Sequence, residues 1–112
     1  MIALIQRVKK ASVIIDKKVY SKINQGLLIF VGIHNTDTED DVEYLCKKIK
    51  DLRIFSDKNN KMNLSIKDIK KEILLISQFT LYAKCKKGNR PSFTEAAPAS
   101  SAKPLYDFLI NK

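Results

Sequence analysis

Two uninterrupted apolar runs constrain this chain more than anything else in it: Leu27 to Ile33, LLIFVGI, and Ile73 to Ile76, ILLI. A short continuous apolar run bounded by polar residues reads as a strand covered on both faces. Two of them within 112 residues predict a sheet or barrel with helices packed on it. The second run is preceded by Lys70, Lys71 and Glu72, and at its end the polarity changes abruptly into Ser77, Gln78, Phe79 and Thr80. Read as a central strand, it delivers two hydroxyls, a carboxamide and their backbone N–H groups to the edge of the core. Ser and Thr hydroxyls also satisfy neighbouring backbone groups, so the segment is either a local cap or a rigidly mounted site.

Length and charge narrow the classes. A chain of 112 residues reads as one domain and can bury roughly two-thirds of the surface its unfolded form exposes. Lys and Arg outnumber Asp and Glu by 21 to 12, a net charge of +9, which suits a polyanionic partner. No stretch approaches the roughly 20 apolar residues of a membrane span. The opening MIALIQRVKK places its apolar residues before its charges, the reverse of a signal peptide, so a cytosolic protein is expected. Cys46 and Cys85 have neither CxxC spacing nor a histidine cluster beside them, and the chain calls for no metal and no cofactor. His34 is the only histidine and lies in a polar stretch, His34-Asn35-Thr36-Asp37, which argues against a Ser-His-Asp or Cys-His arrangement.

From Ile2 to Ile15 the apolar alternation is strand-like, and its parity switches around Lys9-Lys10, which implies a bulge or a break. Arg7 stands just before the switch, either facing solvent or meeting an anion. Asp16-Lys17-Lys18 reads as a turn into a short strand at Val19-Tyr20. Thr38 to Leu52 is predicted as a helix, since Val42, Leu45, Cys46 and Ile49 follow the i, i+3, i+4, i+7 spacing and Thr38 with Asp41 resembles a capping box. Cys46 falls on the inward stripe as a small core residue. Asn59-Asn60 suits a tight hairpin turn between two short strands around Arg53–Asp57 and Met62–Leu64.

After Leu81, Lys84, Lys86, Lys87 and Arg90 place four positive charges in seven residues around Gly88, either a cradle for a polyanion or a solvated loop. Leu105, Phe108 and Leu109 predict a final amphipathic helix; Pro104 belongs in its first turn, so Ser100 or Ser101 is expected as the N-cap.

Five segments in register now carry a resemblance: QRV (Gln6 to Val8), RIFSD (Arg53 to Asp57), KMN (Lys61 to Asn63), SQFTL (Ser77 to Leu81) and RPSF (Arg90 to Phe93). Together with LYDF at Leu105 to Phe108 they make the chain similar to the bacterial D-aminoacyl-tRNA deacylases, also called D-tyrosyl-tRNA deacylases. The resemblance implies an α/β protein with a barrel-like β core of mixed sheets and two packed helices. It also implies a cytoplasmic homodimer that acts in translation quality control by hydrolysing the ester between a D-amino acid and the terminal adenosine of tRNA. By similarity Ser77, Gln78, Phe79 and Thr80 form the catalytic segment, with Arg7, Met62, Arg90, Pro91, Ser92 and Phe93 at the substrate. Lys84, Lys86 and Lys87 would meet tRNA. Thr80 is either the nucleophile or a lining residue, the work then falling to the substrate's own ribose hydroxyl and to the backbone. No histidine or carboxylate in SQFT could serve Thr80 as a base, which favours the second view, and an aminoacyl ester is already activated.

Members of that family carry an Asn-x-Gly-Pro-Val-Thr segment whose Gly-Pro peptide enters the partner's pocket and excludes L-amino acids. Gly26, Gly32 and Gly88 of these 112 residues are followed by Leu27, Ile33 and Asn89, so this sequence is expected to lack the chiral gate. It would then be an ungated deacylase, or a catalytically impaired RNA-binding or dimerisation module. Because discrimination by exclusion needs the excluding group, the 112-residue chain should hydrolyse D- and L-tyrosyl-tRNA at similar single-turnover rates. A D-over-L preference above about a hundredfold, roughly 2.7 kcal/mol in the transition state, would place the gate in another element.

Overall fold

In the computed structural model, which describes residues 1–82 and 96–110, the apolar runs become strands and the polar stretches their turns. In chain order the elements are β1 (Ile2–Val8), β2 (Ala11–Ile15), β3 (Lys18–Ile23), β4 (Gly26–Gly32), α1 (Glu39–Asp51), β5 (Phe55–Ser56), β6 (Met62–Leu64), α2 (Ile66–Ile69), β7 (Glu72–Ser77), a 3-10 turn (Phe79–Tyr82) and α3 (Ala99–Ile110). The strands form three sheets: β1-β4-β7, β2-β3 and β5-β6. The mixed α/β class is as expected. None of the three sheets closes on itself among the described residues.

The middle position of the first sheet belongs to β4, whose Leu27, Ile29 and Val31 are fully buried, each burial worth roughly 1.5–3 kcal/mol. The ILLI run was expected to be central, yet among the described residues β7 pairs with β4 alone, and Ile73 is 39% exposed. An apolar run reports that both faces of a strand are apolar; it does not count the strands paired along its edges. Residue contacts divide the chain into two compact units, and β1, β4, β7 and α1 each contribute part of their length to both.

One unit comprises Ile5–Ile29 and Lys47–Leu75. In it β2 and β3 pair antiparallel through the two-residue turn Asp16-Lys17, and both turn residues have positive φ, 51° and 64°, as the tightest hairpin turns require. Val13 faces Ser21 and Ile14 faces Val19, so Tyr20 is the extra residue of a β-bulge. The expected break at Lys9-Lys10 separates β1 from β2. The second hairpin, β5-β6, turns through Asn60 at φ 60°, as its Asn-Asn pair suggested. The Asp57 carboxylate closes that turn by accepting from Asn59 N–H (2.8 Å) and Lys61 N–H (3.1 Å). Helix α2 has no counterpart in the sequence expectations. At four residues it is too short for periodicity to register, but its capping box was legible: Ser65 N–H donates to the Asp68 carboxylate at 2.9 Å and Asp68 N–H to Ser65 Oγ at 3.2 Å.

The other unit comprises Met1–Leu4, Phe30–Cys46 and Ile76–Lys112. The Thr38 backbone N–H donates to the Asp41 carboxylate at 2.8 Å and opens α1, one residue inside the expected boundary. Val42, Cys46 and Ile49 form the buried stripe of that helix, Cys46 as the core residue expected. Helix α3 departs from expectation at its start. It begins at Ala99 with the Pro98 carbonyl accepting from Ala102 N–H at 2.9 Å, so Pro104 lies beyond the first turn and neither Ser100 nor Ser101 caps it. Pro98 thus stands at the N-cap position that the serines were expected to fill, its carbonyl accepting the first helical bond.

The two turn carboxylates set a pH dependence. Lys61 N–H and then Asn59 N–H hold the Asp57 carboxyl below its ordinary value, and Ser65, through its backbone N–H and then its side chain, does the same for Asp68. A pKa depressed in the folded state contributes stability that is present above the ordinary carboxylate pKa and is lost as pH falls through the lower, folded one. The urea midpoint of D57N/D68N should therefore lie below that of the parent at pH 6, and the gap should close as pH falls below about 4, near the ordinary carboxylate range. A gap unchanged at pH 3 would mean that the carboxylate charge plays no part.

Candidate functional site

The SQFT segment is built where β7 ends. Ser77, the last residue of the strand, is exposed, and Gln78 continues the pairing by donating its N–H to the Val31 carbonyl at 2.7 Å. Phe79 to Tyr82 then tighten into the 3-10 turn, with Leu81 N–H reaching the Gln78 carbonyl at 3.4 Å. Glycine makes the approach possible. A Cβ on Gly32 would lie 3.1 Å from Leu81 Cβ, 3.1 Å from Tyr82 Cδ2 and 3.2 Å from the Gln78 carbonyl oxygen, closer than carbon ordinarily sits. Sequence reading passed over Gly32, although a glycine inside an apolar strand marks a close backbone approach.

Beneath the turn, Tyr82 is buried and meets the His34 ring edge to face, with centroids 5.3 Å apart. His34 Nδ1 accepts the Thr36 backbone N–H at 3.1 Å and lies 2.7 Å from Thr36 Oγ1, which leaves the proton of the neutral ring on Nε2. The His34 backbone N–H donates to Asp37 at 2.7 Å, and the Asp37 carboxylate also holds the Met1 ammonium at 2.9 Å, with both groups nearly buried. The lone histidine is thus part of the scaffold under the segment. Above it Phe79 is 56% exposed, a large aromatic presented at the surface by a fixed turn.

The remaining site residues fall in three groups. Arg7 lies in the other unit, near the end of β1, where its Nη1 donates to the Ile54 carbonyl at 3.0 Å, and it borders a cleft of about 390 Å3. Met62, on β6 of that same unit, is 61% exposed. Lys84, Lys86, Lys87, Arg90, Pro91, Ser92 and Phe93 lie outside the described residues, as does the side chain of Thr80. The donors that SQFT presents are the Ser77 hydroxyl, the Gln78 carboxamide and backbone amides. They suit binding and polarising a carbonyl more than proton abstraction.

The role of Gly32 can be tested without a substrate. Gly32→Ala should overpack the turn, lowering stability by about 1–3 kcal/mol and shifting the amide resonances of Gln78 to Tyr82 well above those of the β2-β3 hairpin. Unmoved resonances for the turn would show that it is held by something else.

Comparison with known proteins agrees with the motifs. The family model described as D-Tyr-tRNA(Tyr) deacylase matches residues 4–112. A D-aminoacyl-tRNA deacylase of Thermotoga petrophila is 54% identical over 110 residues, covering 98% of this chain and 74% of the relative. Its counterpart in Thermodesulfovibrio yellowstonii is 56% identical, covering 97% and 75%. Among solved structures, a c-Myc DNA unwinding element binding protein superposes with a TM-score of 0.92 at 37% identity, over 97% of this chain and 73% of that one. A probable eukaryotic D-amino acid tRNA deacylase shares the fold, with a TM-score of 0.84 at 15% identity over 97% and 64% of the two chains. With the family model spanning nearly every residue and relatives more than half identical, the chain belongs to the D-Tyr-tRNA(Tyr) deacylase family.

Proposed function

We propose that this chain hydrolyses the ester between a D-amino acid and the terminal adenosine of tRNA, acting in translation quality control as a cytoplasmic homodimer on the family's barrel-like core. The observation that carries the reading is the Gln78 N–H bond to Val31 at 2.7 Å, which fixes SQFT against β4 while Ser77 and Phe79 stay exposed. A segment so held is preorganised, and preorganised donors act on charge that develops in the transition state. Water adds to the ester carbonyl, the acyl C–O bond breaks, and the ribose oxygen leaves with a proton; the products are the free D-amino acid and deacylated tRNA. Ser77, Gln78, Phe79 and Thr80 orient the carbonyl and stabilise its oxyanion, and the neighbouring ribose hydroxyl assists the proton transfer. Arg7, Met62 and Arg90 to Phe93 bind substrate, and Lys84, Lys86 and Lys87 bind the tRNA backbone.

Deacylation of D-tyrosyl-tRNA under single-turnover conditions tests this. Phe79→Ala should lower kcat/KM by about a hundredfold, the scale expected when a positioning contact is lost. It should leave thermal stability nearly unchanged, because the ring is already more than half exposed. Thr80→Ser should be nearly silent. Abolished turnover in Thr80→Ala with binding intact would return the nucleophile role to Thr80. No turnover in the parent, with tRNA still bound, would make the chain a silent RNA-binding module.

A further inference from the structure

The cleft beside Arg7 brings that substrate-binding residue together with Lys9 and Gln25, which the deacylation reading does not use. Its polar lining comes from Arg7, Lys9, Gln25 and Ser56, and its apolar lining includes Phe55 and Ile69; among the described residues no carboxylate lines it. Two cations, an amide and a hydroxyl with no acid between them select an anion. The Arg7 guanidinium is already oriented by its bond to the Ile54 carbonyl, one of five N–H donors it carries. Phe55 is only 7% exposed, so the apolar side is a fixed surface. At about 390 Å3 the cleft is near the lower end of the roughly 300–1,000 Å3 usual for small-molecule sites, room for one nucleotide and not for a duplex.

We propose that this cleft is a nucleotide subsite that takes one phosphate of an RNA strand against Arg7 and Lys9, with the attached nucleoside against Phe55 and Ile69. The inference rests on the reading of the chain as a tRNA ester hydrolase and extends it to Lys9 and Gln25, which no motif singled out, and to Ser56 within RIFSD. Phosphate supplies the charge that the two cations require, and the apolar lining separates a nucleotide from a bare anion. The exposed polar residues at the cleft need no rearrangement to be reached.

The test titrates the 112-residue chain with AMP, adenosine and inorganic phosphate while amide resonances are followed. AMP should bind more tightly than either fragment and move the signals of Lys9, Gln25 and Ser56. Lys9→Glu, a change at an exposed residue, should weaken AMP about tenfold through loss of a charge-assisted contact. With D-tyrosyl-tRNA, the same variant should raise KM, reduce the salt slope of binding by about one and leave kcat unchanged. AMP signals confined to other parts of the chain, phosphate binding as tight as AMP, or Lys9→Glu binding AMP like the parent would each overturn the proposal. A parent without deacylase activity would defeat the functional reading alone, since the AMP titration still decides the cleft.

Discussion

Close approach of one backbone to another at the two ends of β4 underlies the rest of this structure. At the first end a Cβ on Gly26 would fall on the Glu72 carbonyl, and at the other a Cβ on Gly32 would crowd Gln78, Leu81 and Tyr82. Between those glycines lie three fully buried side chains, Leu27, Ile29 and Val31. The strand therefore combines maximal apolar burial in its middle with missing side chains where its neighbour must come near. Around Gly26 the approach is stitched further by Asn24, whose backbone N–H donates to the Glu72 carboxylate at 3.0 Å. Around Gly32 it leaves room for a polar turn rather than for more core.

Much of this was legible in the residues. The helix at α1 declared itself through spacing and through opposite charges at its two ends, Glu39, Asp40 and Asp41 against Lys48 and Lys50. The hairpins were legible through Asp16-Lys17 and Asn59-Asn60, residues that tolerate or accompany positive φ. What sequence could not convey was neighbourhood. The ILLI run has the composition of a buried strand but among the described residues pairs on one side only, and Pro98 rather than a serine starts α3.

The site divides along the same line. SQFT was readable because hydroxyls and a carboxamide directly after an apolar run are a local pattern. Its support was not, because Val31, Gly32 and Tyr82 are recruited from strand and turn positions whose own composition is ordinary core. His34 shows the reverse: its solitude in the sequence argued correctly against a catalytic triad, and its ring proves to be committed to Thr36 and Tyr82. Lys9, Gln25 and Ser56 come from three separate stretches, and only their shared cleft makes them a group.

The bulge in the β2-β3 hairpin bears on how such a chain can change length. Cross-strand partners on either side of Tyr20 are Val13 with Ser21 and Ile14 with Val19, so residue 20 faces nothing across the ladder. A chain without it would keep each of those pairings and the two-residue turn, with the strand merely straightened. Elsewhere in the same hairpin a one-residue loss would slide the partners and turn inward side chains outward. Position 20 is thus a slack point, where an insertion or deletion between relatives can be absorbed without disturbing Ile23, the buried residue at the hairpin's far end.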